Sequence, residues 1–348
     1  MPNTLQSPPQ QVQNGVSDDL LITAHAAMLA GRHFNQQASN LAKQGYMGAY
    51  PSSLGQEACQ VAAALALESA DWLFPTYRDS VAVMSRGIDL AEVLSPFHGS
   101  SHCGYAPTKT HTAPEATPLA THTAHAVGLA MAAKFAGDST VALAMCGDGS
   151  TSEGDFHEAL NLAAVFEAPV VFLVQNNGYA ISTPVSRQMR AASIAAKGEG
   201  YGMPAYQVDG NDFEQVYPRL HEAVERARAG GGPTLIEAMT YRMGPHTTSD
   251  NPDRYRSREE VEQWRGRDPL TRIQHQMYQR LPNAKTHIEN AILAAEKIAS
   301  EARTSMMQLQ MPDPQDLFAH VYANPPATLS AVAEEYAQQH AAQNGENA

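Results

Sequence analysis

Cysteine, aromatic residues and basic residues are all scarce in this chain of 348 residues. Its three cysteines, Cys59, Cys103 and Cys146, lie far apart and form no CxxC pair, which argues against a disulfide scaffold and favours a reducing cytoplasm. Only 23 Lys and Arg stand against 36 Asp and Glu, so the net charge of −13 disfavours nucleic acid and anionic membranes as partners. No apolar run approaches the ~20 residues that are needed to span a bilayer.

What the chain does contain is enough apolar material for a large core, since 43% of its residues are hydrophobic. At roughly 150 residues per domain, its length fits one large domain or two ordinary ones. Residues 1–19 are polar, rich in Gln, Asn and Pro, and free of Lys and Arg. They resemble neither a signal peptide nor a transit peptide, and we interpret them as a disordered lead-in.

Helical and strand patterns alternate along the chain. Apolar spacing predicts helices over 20–43, 56–68, 121–135, 152–166 and 221–229, buried strands over 140–146, 169–175 and 234–241, and a long loop over 95–118. Ser152, followed three residues later by Asp155, is predicted to cap the helix that it begins. Fully apolar strands alternating with helices indicate an α/β fold with a doubly wound, mainly parallel sheet and helical N- and C-terminal extensions.

The loop after the first predicted strand contains Gly147, Asp148 and Gly149. Ligands of doubly wound sheets bind beyond the carboxyl ends of the strands, and two glycines would let the backbone approach a diphosphate at the start of the next helix. A tight turn or a dinucleotide-binding loop would also fit this short motif. The carboxylate of Asp148 would repel a diphosphate, however, unless a divalent cation such as Mg²⁺ bridged the two.

A second polar segment follows the next predicted strand. Asn177 lies 29 residues after Asp148, about the length of one strand–loop–helix–strand unit, so both loops are expected at the same edge of the sheet. Asp148, Asn177 and a backbone carbonyl such as that of Tyr179 could then bind one Mg²⁺ ion.

With its Gly-Asp-Gly and Asn-Asn motifs, the segment 147–183 resembles the thiamine diphosphate motif, and in particular the alpha subunit of the decarboxylating first component of 2-oxo acid dehydrogenase complexes. Further matching segments are 54–58, 75–80, 118–128, 208–212 and 237–256. The resemblance covers roughly residues 20–280. It implies a thiamine diphosphate-binding domain there and leaves residues 281–348 as a C-terminal helical extension.

The resemblance also implies roles for single residues. Asp148, Asn177 and Tyr179 would bind the metal, and His246 would be the catalytic histidine. The residues expected to bind thiamine diphosphate are Tyr77, Arg78, Leu119, Gly147, Gly149, Ser150, Asn177, Arg242 and His246. Arg78 suits a diphosphate because its planar guanidinium forms paired, charge-assisted hydrogen bonds. Tyr255 and Arg256 would order the loop around His246.

Three positions depart from the pattern of the family. His122 stands where branched-chain enzymes tend to have Gln in a potassium-binding loop, and Gln175 stands where some relatives have Arg. Thr247 occupies the position of the kinase-regulated Ser of animal relatives. We therefore infer neither a potassium site nor that regulation, and we expect binding of the diphosphate near Gln175 to be weaker or rearranged.

The activity that the resemblance implies is oxidative decarboxylation of a small 2-oxo acid, either branched-chain or pyruvate, with reductive acylation of a lipoyl group on the acyltransferase second component. The glutamate that activates the cofactor would come from a beta subunit in an alpha2-beta2 heterotetramer, because no Glu of this chain stands in a matching context. An acetoin dehydrogenase alpha subunit would share every cofactor residue. A non-catalytic or NAD-binding α/β protein would share only the fold.

Overall fold

A computed structural model of the chain describes residues 15–100, 102–309, 313, 315–319 and 321–345. The strands are β1 (Trp72–Phe74), β2 (Ala142–Gly147), β3 (Val170–Asn176), β4 (Tyr179–Ala180), β5 (Thr183–Pro184), β6 (Ala205–Asp209) and β7 (Thr234–Met239). The helices are α1 (Asp18–Lys43), α2 (Glu57–Leu65), α3 (Ser80–Ser85), α4 (Leu90–Leu94), α5 (Pro107–Thr110), α6 (Thr121–Ala136), α7 (Gly154–Phe166), α8 (Val185–Gln188), α9 (Ala195–Gly200), α10 (Phe213–Arg228), α11 (Arg258–Arg265), α12 (Pro269–Arg280), α13 (Ala284–Gln308), α14 (Asp316–Ala319) and α15 (Ala327–Gly345).

Five strands form one sheet in the order β1-β2-β3-β7-β6, and every neighbouring pair is parallel. All seven residues of β3 are buried, as are the first five of β2 and of β7. Strands that are buried on both faces need apolar side chains throughout, and this is the pattern that the sequence displays. The predicted doubly wound, mainly parallel sheet is confirmed.

Helices cover both faces of the sheet. Leu143 and Met145 of β2 pack with α1, α2, α10, α12 and α13, whereas Ala144 and Cys146 pack with α6 and α7. Successive side chains of a strand point to opposite faces, so a single strand serves both cores. The carboxyl ends of the strands remain free of this packing and can be used for binding.

The two longest helices of the described chain, α1 and α13, pack against each other. Met28 of α1 and Ile288, Ala291 and Ala295 of α13 belong to one buried cluster. The boundary that we predicted at residue 280 coincides with the end of α12, and α12 and α13 both contribute side chains to that cluster. The division of the chain into 20–280 and 281–348 stays a prediction.

The predicted lead-in, residues 1–19, lies mainly outside the described residues. Its last part is ordered: the Ser17 side chain accepts a hydrogen bond from the Leu20 N–H at 3.2 Å, and α1 begins at Asp18. Val16 is buried against the core. A serine cap followed by two aspartates is a standard start for a helix, because it satisfies free N–H groups and complements the helix dipole.

Helices α7 and α10 begin at residues other than those predicted. Ser152 does not cap α7: it ends a 3₁₀ turn over Asp148–Ser152, and α7 follows from Gly154. Helix α10 begins eight residues earlier than predicted, where the Asp212 side chain accepts a hydrogen bond from the Glu214 N–H. Pro218 lies inside α10, where its residue type ordinarily predicts a break.

The predicted loop over 95–118 contains one 3₁₀ turn, Ser95–His98, and the one-turn helix α5, and two isolated parallel bridges join Thr112 to Leu73 and Ala116 to Thr76. In the part of the chain that the structure describes, no helix is both long and apolar enough to cross a membrane.

Candidate active site

One pocket lies at the carboxyl edge of the sheet, where β1, β2, β3 and β7 all end. It encloses about 730 Å³ of space, part of which is open to solvent. Its lining comprises Gln56, Thr76, Tyr77, Arg78, Asp79, Leu119, Gly147, Asp148, Gly149, Ser150, Gln175, Asn177, Tyr179, Ala180, Ile181, Arg242 and His246. Every residue that was predicted from the sequence to bind the metal or the cofactor is in this lining.

Arg78 is fixed at one wall of the pocket by backbone oxygens. Its Nη1 donates to the carbonyls of Ser52 at 2.9 Å and His246 at 3.0 Å, and its Nη2 lies 2.9 Å from His246 Nδ1. The Tyr77 ring meets the imidazole of His246 edge to face, with 6.1 Å between the ring centroids. The Tyr-Arg pair that follows β1 is therefore in direct contact with the loop that follows β7.

Two guanidinium groups contact the same ring nitrogen of His246. Arg242 Nη1 lies 3.1 Å from His246 Nδ1, the nitrogen that Arg78 Nη2 also contacts. A guanidinium can only donate, so Nδ1 accepts and the single ring proton resides on Nε2. Burial, together with the nearby charges of Arg78 and Arg242, lowers the pKa of His246 to about 4. The imidazole is therefore neutral at physiological pH and offers an Nε2–H donor.

Arg242 is almost fully buried, and burial followed by the charge of Arg78 lowers its pKa. Its Nη2 donates to the Ile181 carbonyl at 2.9 Å and to the Tyr255 hydroxyl at 3.0 Å, while its Nε has no partner. Two guanidinium groups thus face one pocket, a concentration of positive charge that favours an anion.

The loop that carries His246 is held by further hydrogen bonds from Arg256 and to Asp250. Arg256 donates to the carbonyls of Arg242, Met243 and Gly244, the last at 2.6 Å. The Tyr255 hydroxyl donates to Asp250 at 2.6 Å, and Asp250 also accepts from the His246 backbone N–H at 2.7 Å. These contacts fit the ordering role expected for Tyr255 and Arg256.

Asp148 presents one unpaired oxygen. Its Oδ2 accepts a hydrogen bond from Gln188 Nε2 at 2.8 Å, whereas its Oδ1 is buried and has no partner. Burial raises the pKa of Asp148 against the opposing effect of hydrogen bonds from Gln188 and the Asn177 backbone. A buried carboxylate oxygen without a partner is costly, and a bound cation would satisfy it.

Asn177 and Tyr179 reach the same pocket from the end of β3. The Asn177 Oδ1 accepts from the Tyr179 N–H at 3.2 Å, and its Nδ2 donates to Gln56 Oε1 at 3.2 Å. The Tyr179 side chain turns towards α11, where its hydroxyl donates to Glu260 at 3.0 Å. Tyr179 therefore lines the pocket beside Asn177 while its hydroxyl is engaged elsewhere.

The glycines of the loop after β2 differ in what surrounds them. A Cβ at Gly149 would approach the Ala180 Cβ to 2.8 Å, so the close contact with the β4–β5 hairpin requires glycine. A Cβ at Gly147 would meet no atom within 4 Å. Ser150 is buried at the same loop, and Leu119, which is 39% exposed, is one of the apolar residues of the lining.

Sequence reasoning missed several residues that shape this pocket. Asp79, Gln56 and Gln188 were not predicted as site residues, and Gln175 was noted only as a departure. Gln56 and Asp79 do fall within matched segments, 54–58 and 75–80, so the resemblance contained a signal for them. Among the described lining residues the only carboxylates are Asp79 and Asp148, and neither is Glu.

The chain is similar to known proteins over most of its length. Residues 25–315 match the family model described as "Dehydrogenase E1 component". The chain is 45% identical over 318 residues to the 3-methyl-2-oxobutanoate dehydrogenase subunit alpha of Mycobacterium tuberculosis, covering 91% of this chain and 87% of the relative. It is 38% identical over 315 residues to the pyruvate dehydrogenase E1 component subunit alpha of Staphylococcus aureus, covering 87% and 85%. The chain belongs to the dehydrogenase E1 component family.

Proposed function

We propose that this chain is the alpha subunit of a 2-oxo acid dehydrogenase that binds thiamine diphosphate through Mg²⁺ and acts with a beta subunit. The observation that carries the proposal is the unpaired Oδ1 of Asp148, which is buried in a pocket that also holds the guanidinium groups of Arg78 and Arg242. A bound cation would pair with Asp148 Oδ1, and a bound anion would pair with the guanidinium groups of Arg78 and Arg242.

The donor set fits Mg²⁺ and a diphosphate. Asp148 and Asn177 offer side-chain oxygens and Tyr179 a carbonyl, which are the hard ligands that Mg²⁺ prefers. Arg78 and Arg242 would hold the diphosphate oxygens, with Gly147, Gly149 and Ser150 allowing the backbone of the loop to approach them. Leu119 and Tyr77 would pack against the apolar part of the cofactor.

Bound thiamine diphosphate would supply the carbanion and the electron sink that decarboxylation of a 2-oxo acid requires. His246 would donate a hydrogen bond from Nε2 to the substrate, since its Nδ1 already accepts from two arginines. Asp250 would hold the His246 backbone in place. The loop that Arg256 anchors keeps the imidazole rigid, and a preorganised donor stabilises developing charge better than a mobile one.

The pocket is incomplete without a partner chain. Activation of the cofactor needs a carboxylic acid beside its pyrimidine, and both lining carboxylates of the described chain have other engagements. The two relatives are both named as alpha subunits. We therefore propose a beta subunit that donates this acid within an alpha2-beta2 heterotetramer, and a lipoyl-bearing acyltransferase that accepts the acyl group. We also propose a cytoplasmic location, because none of the three cysteines forms a disulfide.

For the substrate we propose 3-methyl-2-oxobutanoate in preference to pyruvate, because the relative with that substrate in its name is 45% identical and the pyruvate relative 38%. The test is to co-produce the chain with its beta subunit, to measure binding of thiamine diphosphate and Mg²⁺ by calorimetry, and to compare kcat/KM for both acids and acetoin. Absence of cofactor binding by the assembly would refute the enzyme class. A preference for pyruvate or acetoin would refute the substrate alone.

A further inference from the structure

A series of buried hydrogen bonds leads from Asp79 to Asn177. Gln175 Nε2 donates to Asp79 Oδ1 at 2.7 Å, Gln56 Nε2 donates to Gln175 Oε1 at 3.0 Å, and Asn177 Nδ2 donates to Gln56 Oε1 at 3.2 Å. We call Gln175, Gln56 and Asn177 the amide series. All four side chains are buried at the carboxyl edge of the sheet.

The carboxylate of Asp79 gives this series its direction. Asp79 is fully buried and accepts four hydrogen bonds: from the Thr76 N–H at 2.8 Å, the Thr76 hydroxyl at 2.7 Å, Gln60 Nε2 at 3.1 Å and Gln175 Nε2 at 2.7 Å. A group that only accepts must face a donor, so Gln175 has to turn its NH₂ towards Asp79.

That choice then passes along the series. A side-chain amide has donors on nitrogen and acceptors on oxygen, so turning the Gln175 NH₂ to Asp79 leaves its oxygen for Gln56. Gln56 in turn presents its oxygen to Asn177, so the NH₂ of Asn177 is the group that faces Gln56. A single reversed amide would place two NH₂ groups or two oxygens face to face in a buried site, which is costly.

We propose that Asp79, acting through Gln175 and Gln56, orients the amide of Asn177 so that its Oδ1 and not its NH₂ is presented to the Mg²⁺ ion. The inference rests on the function proposed above and deepens it. The metal ligand is Asn177, and its positioning residues are Asp79, Gln175 and Gln56, which do not bind the metal themselves. Asn177 Oδ1 accepts one hydrogen bond, from the Tyr179 N–H, and a carbonyl oxygen has a second lone pair for a cation.

Reversing the direction of the series is the sharpest test. In Asp79→Asn, the new NH₂ can donate to the oxygen of Gln175, which then turns its own NH₂ towards Gln56. Gln56 in turn presents its NH₂ to the oxygen of Asn177. The NH₂ of Asn177 then faces the cation. In the double variant Asp79→Asn with Gln175→Glu, the new carboxylate accepts from both neighbours and restores the original direction from Gln56 onward. The double variant differs from the single variant only at residue 175, and we expect the two to differ in their affinity for Mg²⁺.

The measurement is the affinity of the assembled alpha and beta subunits for Mg²⁺ with thiamine diphosphate present, by calorimetry. We expect the single variant to bind Mg²⁺ about 10- to 100-fold more weakly, as is typical when a partner of a metal ligand is lost, and the double variant to recover most of that loss. Asp71→Asn is the matched control, because Asp71 is equally buried but precedes β1 at the opposite edge of the sheet. It should leave the affinity for Mg²⁺ unchanged.

The inference is overturned if Asp79→Asn binds Mg²⁺ within twofold of the wild-type assembly, or if the double variant binds no better than the single one. A merely structural role of Asp79 would lower the affinity in both variants and would not permit recovery. Failure of the wild-type assembly to bind Mg²⁺ and thiamine diphosphate would instead refute the proposed function.

Discussion

Gln188 Nε2 donates to Asp148 Oδ2 at 2.8 Å, and the same nitrogen donates to the Thr183 carbonyl at 3.1 Å. Gln188 ends the one-turn helix α8, which follows directly after the β4–β5 hairpin. One amide thus connects the loop after β2 with the hairpin after β3. By engaging Oδ2, it leaves Oδ1 as the oxygen of Asp148 that can bind a cation.

The first prediction concerns this amide. Gln188→Leu removes the donor, so the carboxylate of Asp148 is free to rotate, and we expect the assembly to bind Mg²⁺ about 10- to 100-fold more weakly. Calorimetry in the presence of thiamine diphosphate measures the change. Ser186→Ala, an exposed position on the same helical turn, is the control and should not alter the affinity. Equal affinity in the two variants would show that Gln188 does not position Asp148.

The second prediction concerns the stability cost of Asp148 itself. Asp148→Asn replaces a buried charged oxygen that has no partner, so we expect the metal-free protein to gain about 1 kcal/mol in its free energy of unfolding. The same variant should lose the rise in melting temperature that Mg²⁺ and thiamine diphosphate produce in the wild type. Thermal unfolding with and without ligands tests both statements, and a less stable metal-free variant would contradict the first.

The third prediction concerns the charge beside His246. In Arg78→Leu one of the two cations that face Nδ1 is gone, so the pKa of His246 should rise from about 4 towards its ordinary value of 6.5. It should stay below 6.5, because burial and Arg242 remain. Histidine ring NMR over a pH titration measures it. Arg187→Leu, a loss of charge at an exposed position, should leave this pKa where it was, and an equal shift in both variants would exclude a direct effect.

The fourth prediction concerns acid lability. Burial lowers the pKa of His25 to about 4, and in the unfolded chain the value is near 6.5, so the unfolded state binds more protons between these pH values. The contribution of the neutral His25 to the free energy of unfolding is therefore fully present above pH 6.5. It is lost as the pH falls towards 4, and it amounts to roughly 3 kcal/mol. Urea unfolding at pH 7 and pH 4.5 should show a smaller loss for His25→Leu than for the wild type. Equal losses would contradict this assignment.

Much of the fold and site could be predicted from the sequence, because short-range patterns encode them. Fully apolar strands predict a parallel sheet, and parallel strands bring their carboxyl ends to one edge, so the spacing of Asp148 and Asn177 suffices to place both there. The roles of these residues stay predictions.

The missed residues have a common physical cause. Gln56 and Gln175 are 119 residues apart in the chain, and Asp148 and Gln188 are 40 apart. An amide has no pattern of spacing that reveals its partner, since its contacts depend on how the elements approach each other. The prediction that Ser152 caps α7 was wrong for a related reason. A serine before a helical pattern favours a cap. Here Ser152 instead ends the turn over Asp148–Ser152, and α7 begins at Gly154.

The packing of α13 against α1 has a consequence for synthesis of the chain. Ala295 of α13 and Met28 of α1 share one buried cluster, and Arg280 at the end of α12 donates to the Val16 carbonyl at 2.7 Å, so α12 and α13 cover the residues around the start of α1. While the ribosome is still translating, the apolar face of α1 lacks this cover. We expect nascent chains to depend on chaperones until α13 emerges, and truncation before Ala284 to yield aggregation instead of a smaller folded protein.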